Sequence, residues 1–378
     1  MNILEILLRT YRKNRSRWHR QALSFFVLFS VVFLLAVFPA SQLTASSRDR
    51  LSEYVDARAI RNIISNSETQ SFKYLLGLPN ERWSQYRLGR YVPENDTELP
   101  ATERPNPYTF LCVTPDLVCD SMLSNGGFWD REFVHNVFTL VRRLSKPTAG
   151  RGKIVMDVGM NYGSFALFAA ALGHRVHSFE MQPDVAATVA LSARLNTAIA
   201  QRLTIHQYAI DEKPSKDVHY ARYEGNIGMA HIKSADDSED TVQSISVESI
   251  RLDTLLDRWQ RQSGERIQGI FFMKIDVEGH DMNALRSLGQ RWLQKVDHLV
   301  LEVNSYTPVY REVAPYLVVR GFLCQPLGDD QTPHPHRFSS DPSVKIPSYG
   351  AMWCARAPVV RQLRHAQYKL AMRSAESP

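Results

Sequence analysis

Residues Lys153–Pro183 read KIVMDVGMNYGSFALFAAALGHRVHSFEMQP. A short apolar run, Ile154–Met156, leads into Asp157. A turn follows, with Gly159 and Gly163 on either side of Asn161. Ser164–Leu172 is rich in Ala, Leu and Phe and reads as a helix that Gly173 stops. Arg175–Phe179 is strand-like again and ends in Glu180. Strand, glycine turn, helix and strand in this order build a parallel sheet.

The turn has a definite chemistry. Glycine lets the backbone approach a ligand closely, and the helix that starts there presents free amide donors. In an open α/β sheet, ligands sit in the crevice at the carboxyl ends of the strands. Glu180 stands at such an end, and an ionised carboxylate can accept from both hydroxyls of a ribose. A dinucleotide fingerprint would carry glycine where Asn161 stands. Asp157, just before the first glycine, would repel a pyrophosphate. It would favour the cationic end of S-adenosylmethionine.

A second motif, Lys274-Ile275-Asp276-Val277-Glu278-Gly279-His280-Asp281, follows the apolar strand Gly269–Ile275. That strand is apolar throughout, as a central parallel strand buried on both faces should be. Its end reaches the same sheet edge as Asp157 and Glu180. In an extended segment Lys274, Asp276 and Glu278 share one face, a cluster of balanced charge. The same residues also suit the first turn of a helix, where the dipole favours acids.

DVGMNYG (157–163), Phe179-Glu180 and KIDVEGH (274–280) together resemble the FkbM family of S-adenosylmethionine-dependent methyltransferases. The resemblance spans roughly residues 120–357. It implies an α/β, class I methyltransferase-like (Rossmann-type) sheet, mostly parallel, of about seven strands with an antiparallel last member and helices on both faces. S-adenosyl-L-methionine is the implied cofactor. The residues implied to hold it are Asp157, Gly159, Asn161, Gly163, Glu180 and Asp276, with Asp211 near the adenine, where it equally suits a turn. Glu278, His280 and Asp276 are the candidate catalytic groups, in that order. His280 and Asp281 depart from the family pattern, which has small residues and Glu there. A Gly/Asn loop, Glu224–Met229, resembles one that the family carries between two added strands, and it is expected to close over the site.

The 378 residues suit one catalytic domain plus extras. The formal charge is +6. Arg9, Arg12, Lys13, Arg15, Arg17 and Arg20 against Glu5 place five of those charges in residues 1–21. The rest is nearly neutral, which argues against a nucleic-acid-binding face. Ala22–Ala40 is an uncharged 19-residue stretch, about 28 Å long as a helix and close to bilayer thickness. The basic residues before it predict a cytoplasmic tail at 1–21, an anchor at 22–40 and a lumenal or extracellular bulk. A cleaved signal peptide is the alternative; the apolar run exceeds the usual signal core. Residues 41–119 read as stem and irregular chain with a glycosylation sequon, Asn95-Asp96-Thr97, and 358–378 as a basic C-terminal tail.

Four cysteines, Cys112, Cys119, Cys324 and Cys354, allow one or two disulfides in an oxidising compartment. The first two are near enough to close a small loop. The latter two are read as buried strand thiols. No C-x-x-C spacing points to zinc, and no metal is expected. The leading function is membrane-anchored O-methylation of a hydroxyl on a glycan, lipid or small molecule. A lumenal glycosyltransferase competes, weakened by the lack of a D-x-D motif, and so does a non-catalytic cofactor-binding membrane protein.

Overall fold

The computed structural model describes residues 85–93, 99–101, 104–129, 137–145, 152–223, 225–233, 243–304, 310–327, 334–341 and 349–376. The expected anchor, the basic tail before it and the sequon lie outside these residues. Among the described residues no helix is long and apolar enough to cross a membrane.

In chain order the strands are β1 (Tyr86–Tyr91), β2 (Tyr108–Val113), β3 (Lys153–Val158), β4 (Val176–Glu180), β5 (Leu203–Gln207), β6 (Ala209–Ile210), β7 (Val218–Arg222), β8 (His231–Ile232), β9 (Gln243–Val247), β10 (Ser249–Ile250), β11 (Gly269–Ile275), β12 (Val296–Asn304), β13 (Phe322–Leu327) and β14 (Tyr349–Arg356). The α-helices are α1 (Leu117–Ser124), α2 (Leu140–Ser145), α3 (Ser164–Ala171), α4 (Pro183–Arg194), α5 (Thr197–Ala200), α6 (Leu252–Ser263), α7 (Asp281–Ser287), α8 (Gly289–Leu293), α9 (Tyr310–Val318) and α10 (Ala357–Glu376).

Seven strands form the central sheet in the order β13-β14-β12-β11-β3-β4-β5. β14 runs antiparallel to both neighbours, and the other pairs are parallel. This is the mostly parallel sheet, antiparallel in its last member, that the resemblance implied. The strands alternate across it. Ile154, Met156 and Val158 of β3 pack with Leu255, Leu285 and Trp292 of α6–α8. Val155 packs on the other face with Phe165, Ala166 and Phe168 of α3. The strand-forming stretch Leu203–Ile210 breaks at Tyr208. β5 stays in the sheet, and β6 leaves it to pair with β10.

Two regions read as peripheral contribute to the core. β1 and β2 pair antiparallel within the stretch read as stem. Tyr91, Tyr108 and Phe110 join the α3-side core, and Ser192 of α4 and Asn196, which precedes α5, hydrogen-bond the backbone of Leu111 and Thr109. Helix α10, read as a tail, buries Val360 and Leu363. The cysteines depart from the reading in one respect. Besides Cys112–Cys119, Cys324 and Cys354 form a disulfide and are not free thiols. They are directly opposed partners on β13 and β14, a register that strand patterning alone does not reveal.

Candidate active site

β3, β4 and β11 deliver Asp157, Glu180 and Asp276 to one sheet edge. Their parallel register places Asp157 beside Ser178 and Lys274, so a ligand in the crevice meets all three strand ends. The turn after β3 is fixed by the amides of Gly159 and Met160, which both donate to the Phe179 carbonyl, at 3.0 and 2.9 Å. Gly159 has φ +82°, and a Cβ there would lie 1.7 Å from the Asp276 carbonyl oxygen. Only glycine lets these two strand ends approach so closely. Asn161, at φ +51°, is of a type that tolerates the left-handed region. Gly163 lies against Val189 of α4, so its work is helix packing.

Glu180 is buried and fully engaged by backbone: Oε2 accepts from Asn161 N at 3.0 Å and Oε1 from Gln182 N at 2.9 Å. Each oxygen keeps one lone pair for a ligand hydroxyl. Burial raises its pKa, and these amides oppose that rise. Asp157 is 1% exposed, and neither carboxylate oxygen has a hydrogen-bond partner. Burial, only partly offset by Lys274, lifts its pKa to about 7. The buried Oε1 of Gln182 also lacks a partner. These two acceptors lie on either side of the turn.

The β11 end is a network of acids around one cation. Lys274 Nζ lies 2.9 Å from Asp276 Oδ2 and 3.8 Å from Asp157 Oδ1. Burial works against its ammonium, but the two carboxylates outweigh it and raise its pKa above the usual lysine value. Burial likewise opposes ionisation of Asp276, yet Lys274 and a hydrogen bond from Glu302 hold its pKa low. Glu302 carries the matching proton: the Asp276 charge, then burial, push it to about 10. Burial, with Asp276 second, raises Asp281 to about 7 while its oxygens accept from Val277 N and Gly279 N. Glu278 faces solvent at φ +51°, a conformation that costs a non-glycine residue on the order of 1 kcal/mol. Crowding by surrounding atoms, then Asp276 and Asp281, raise it to about 8.

Asp276, Glu278 and Glu302 can bring ligand oxygens within 4.8 Å of one another, a grouping not foreseen where no metal was expected. Lys274 lies within ion-pair distance of Asp276 and so compensates part of the charge of this cluster. His280 and Asp211, drawn from separate motifs, are partners: His280 Nε2 lies 3.1 Å from Asp211 Oδ2. The sequence reading took Lys274 as part of a balanced charge cluster and overlooked Gln182 and Asp116. Gln182 precedes Pro183, and Asp116 precedes an apolar run, both helix-start signals. A cavity of about 490 Å³ lies elsewhere, lined by residues such as Asp257, Arg261 and Lys295. These precede β11 and β12 and so sit at the opposite sheet edge. The cavity meets none of the candidate residues, and the convergence of acids locates the site more reliably.

A glycine turn and a buried acid, Glu180, at the carboxyl edge of this mostly parallel sheet define a Rossmann-type α/β domain. Residues 157–324 match the family model described as "Methyltransferase FkbM domain", a match that spans a little under half of the chain. Similar solved structures include the methyltransferase FkbM of Methylobacillus flagellatus, at 15% identity and TM-score 0.35, covering 63% of this chain and 52% of that one. The match thus spans about half the length of that protein. Another is the magnesium protoporphyrin IX methyltransferase of Synechocystis with bound SAM, at 12% identity and TM-score 0.30, covering 65% and 99%. The precorrin-6y C5,15-methyltransferase of Geobacter metallireducens shows 10% identity and TM-score 0.27, covering 58% and 87%. No curated protein sequence matches the chain.

Proposed function

We propose that the protein is an S-adenosylmethionine-dependent methyltransferase, acting on a hydroxyl of a glycan, lipid or small molecule. The observation that carries this reading is the buried carboxylate of Asp157, without a hydrogen-bond partner and only partly compensated by Lys274, beside the Glu180-braced turn. The residues present fit the cofactor. Glu180 and Gln182 would meet its ribose, Asp157 and Asp276 its cationic end, and Gly159 leaves room for it. When bound, S-adenosylmethionine supplies a methyl group made electrophilic by a sulfonium.

The chain's own residues do the rest. Glu180 and the turn orient the cofactor, and positioning is the larger part of such catalysis. Glu278, solvent-facing and with a pKa raised to about 8, is the group proposed to take the acceptor's proton. Asp276 is a poor base because Lys274 and Glu302 stabilise its charged form. His280 is a second candidate base, oriented by Asp211.

The reading includes a single-pass anchor at residues 22–40 and a lumenal or extracellular domain. The two disulfides accord with an oxidising compartment. Methyl transfer is tested with isotope-labelled S-adenosylmethionine on extracts of cells lacking the protein. Mass spectrometry should find label on a hydroxyl-derived ether. Label on nitrogen or carbon would retain methyl transfer and refute the oxygen acceptor, and no label on any fraction would refute the function.

A further inference from the structure

Asp116 lies outside the family-matched residues, yet it reaches the site through an unbroken chain of contacts. It is 3% exposed. Its Oδ1 caps α1, accepting from Val118 N at 3.0 Å and Cys119 N at 3.1 Å. Its Oδ2 accepts from Ile227 N at 2.8 Å. Next to it, Leu117 N donates to the Gly225 carbonyl at 2.9 Å. The start of α1 therefore grips the Gly225–Met229 segment at two points. The Cys112–Cys119 disulfide closes the turn that carries Asp116.

The segment in turn presses on the site. The Ile227 carbonyl accepts from Gln182 Nε2 at 3.1 Å, and Gln182 N donates to Glu180 Oε1 at 2.9 Å. A Cβ on Gly228 would lie 2.9 Å from Val118 Cγ2 and 3.0 Å from Asn161 Nδ2. The backbone of Gly228 thus sits directly against the glycine turn and α1.

We propose that Asp116 is a positioning residue for the cofactor site: its carboxylate straps Gly225–Met229 across the turn at Asn161 and, through Gln182, aligns Glu180. This rests on the S-adenosylmethionine reading and adds a determinant that the family motifs do not contain. The two oxygens divide the work. Oδ1 serves the helix and Oδ2 serves the strap, so Asp116→Asn separates them. The asparagine oxygen can still cap α1, while its amide group would oppose the Ile227 donor.

The test uses the full chain and three readouts: melting temperature, hydrogen exchange at the Ile227 amide, and calorimetric affinity for S-adenosylmethionine and S-adenosylhomocysteine. Asp116→Asn should melt close to wild type, exchange faster at Ile227, and bind both ligands about tenfold more weakly, the size expected when one buried hydrogen bond is lost. Gln182→Leu should weaken binding similarly, and the double variant should be no worse than the stronger single one. Gly228→Ala, which leaves Asp116 intact, should also weaken binding by forcing the segment off Asn161. If Asp116→Asn fails to fold, Gln182→Leu and Gly228→Ala decide the matter. Variant affinities equal to a wild-type chain that binds would overturn the inference alone. A wild-type chain that binds neither ligand would overturn the cofactor reading and the inference together.

Discussion

His280 Nε2 stands 3.1 Å from Asp211 Oδ2, joining the end of β6 to the start of α7. Asp211 also accepts from Lys213 N, and Asn283 Nδ2 lies 2.9 Å from the same His280 nitrogen. The pair is a coupled unit, so its members should fail together. Asp211→Asn and His280→Gln are expected to lower turnover by similar factors, with a coupling energy of about 1 kcal/mol in the double-mutant cycle. Additive effects, with cofactor affinity lost only in Asp211→Asn, would instead make Asp211 an adenine contact.

Asp157 illustrates a conflict between stability and function. It holds its proton more tightly in the folded chain, with a pKa of about 7, than at its ordinary value of 3.8. Between these values the folded chain carries the extra proton, so stability falls as pH rises through that window. Asp157→Asn should therefore stabilise the ligand-free protein at pH 8, by on the order of 2 kcal/mol. It should weaken S-adenosylmethionine binding at the same pH. Thermal melts with and without cofactor check both halves; a variant destabilised without ligand would contradict this account of the buried charge.

The histidines set the opposite limb. Burial depresses His174 to about 3, His206 to about 4 and His298 to about 3, from an ordinary value of 6.5. The unfolded chain takes up these protons first, so the stability they confer is present above about pH 6.5 and is lost as pH falls toward 4. This window overlaps that of Asp157 with the opposite sign, so the three histidines, outnumbering it, are expected to lower the melting temperature as pH falls from about 6.5 to 4. His206 sits 3.0 Å from His177 in a ring stack, and His206→Phe should flatten the acid limb.

The sheet and its edge were legible because the sequence carried them in two forms. Apolar strands such as Gly269–Ile275 show parallel burial directly, and Asp157, Gly159 and Glu180 mark strand ends by position. The pairing of Asp211 with His280 and the reach of Asp116 to Ile227 were not legible. They join residues 69 and 111 positions apart, and only the packed fold sets such contacts. The Cys324–Cys354 bridge was left open in the sequence for the same reason: it depends on the antiparallel register of β13 and β14.

Glu278 separates binding from chemistry. Glu278→Gln should leave S-adenosylmethionine affinity within about twofold and lower turnover by about 10²- to 10⁴-fold, the usual contribution of a placed base. The wild-type rate should rise with pH to a plateau above about 8, as Glu278 loses its proton. A rate that is flat from pH 6 to 9 would remove Glu278 as the base.

The most direct measurement is titration calorimetry of S-adenosylmethionine into the full chain, in wild type, Glu180→Ala and Arg261→Ala. Glu180 lies at the acid-rimmed edge and Arg261 in the cavity at the other. One-to-one binding is expected in wild type and in Arg261→Ala, weakened at least about tenfold in Glu180→Ala, which loses the diol acceptor. No heat in wild type, or equal affinity in Glu180→Ala, would contradict the assignment of this sheet edge to the cofactor.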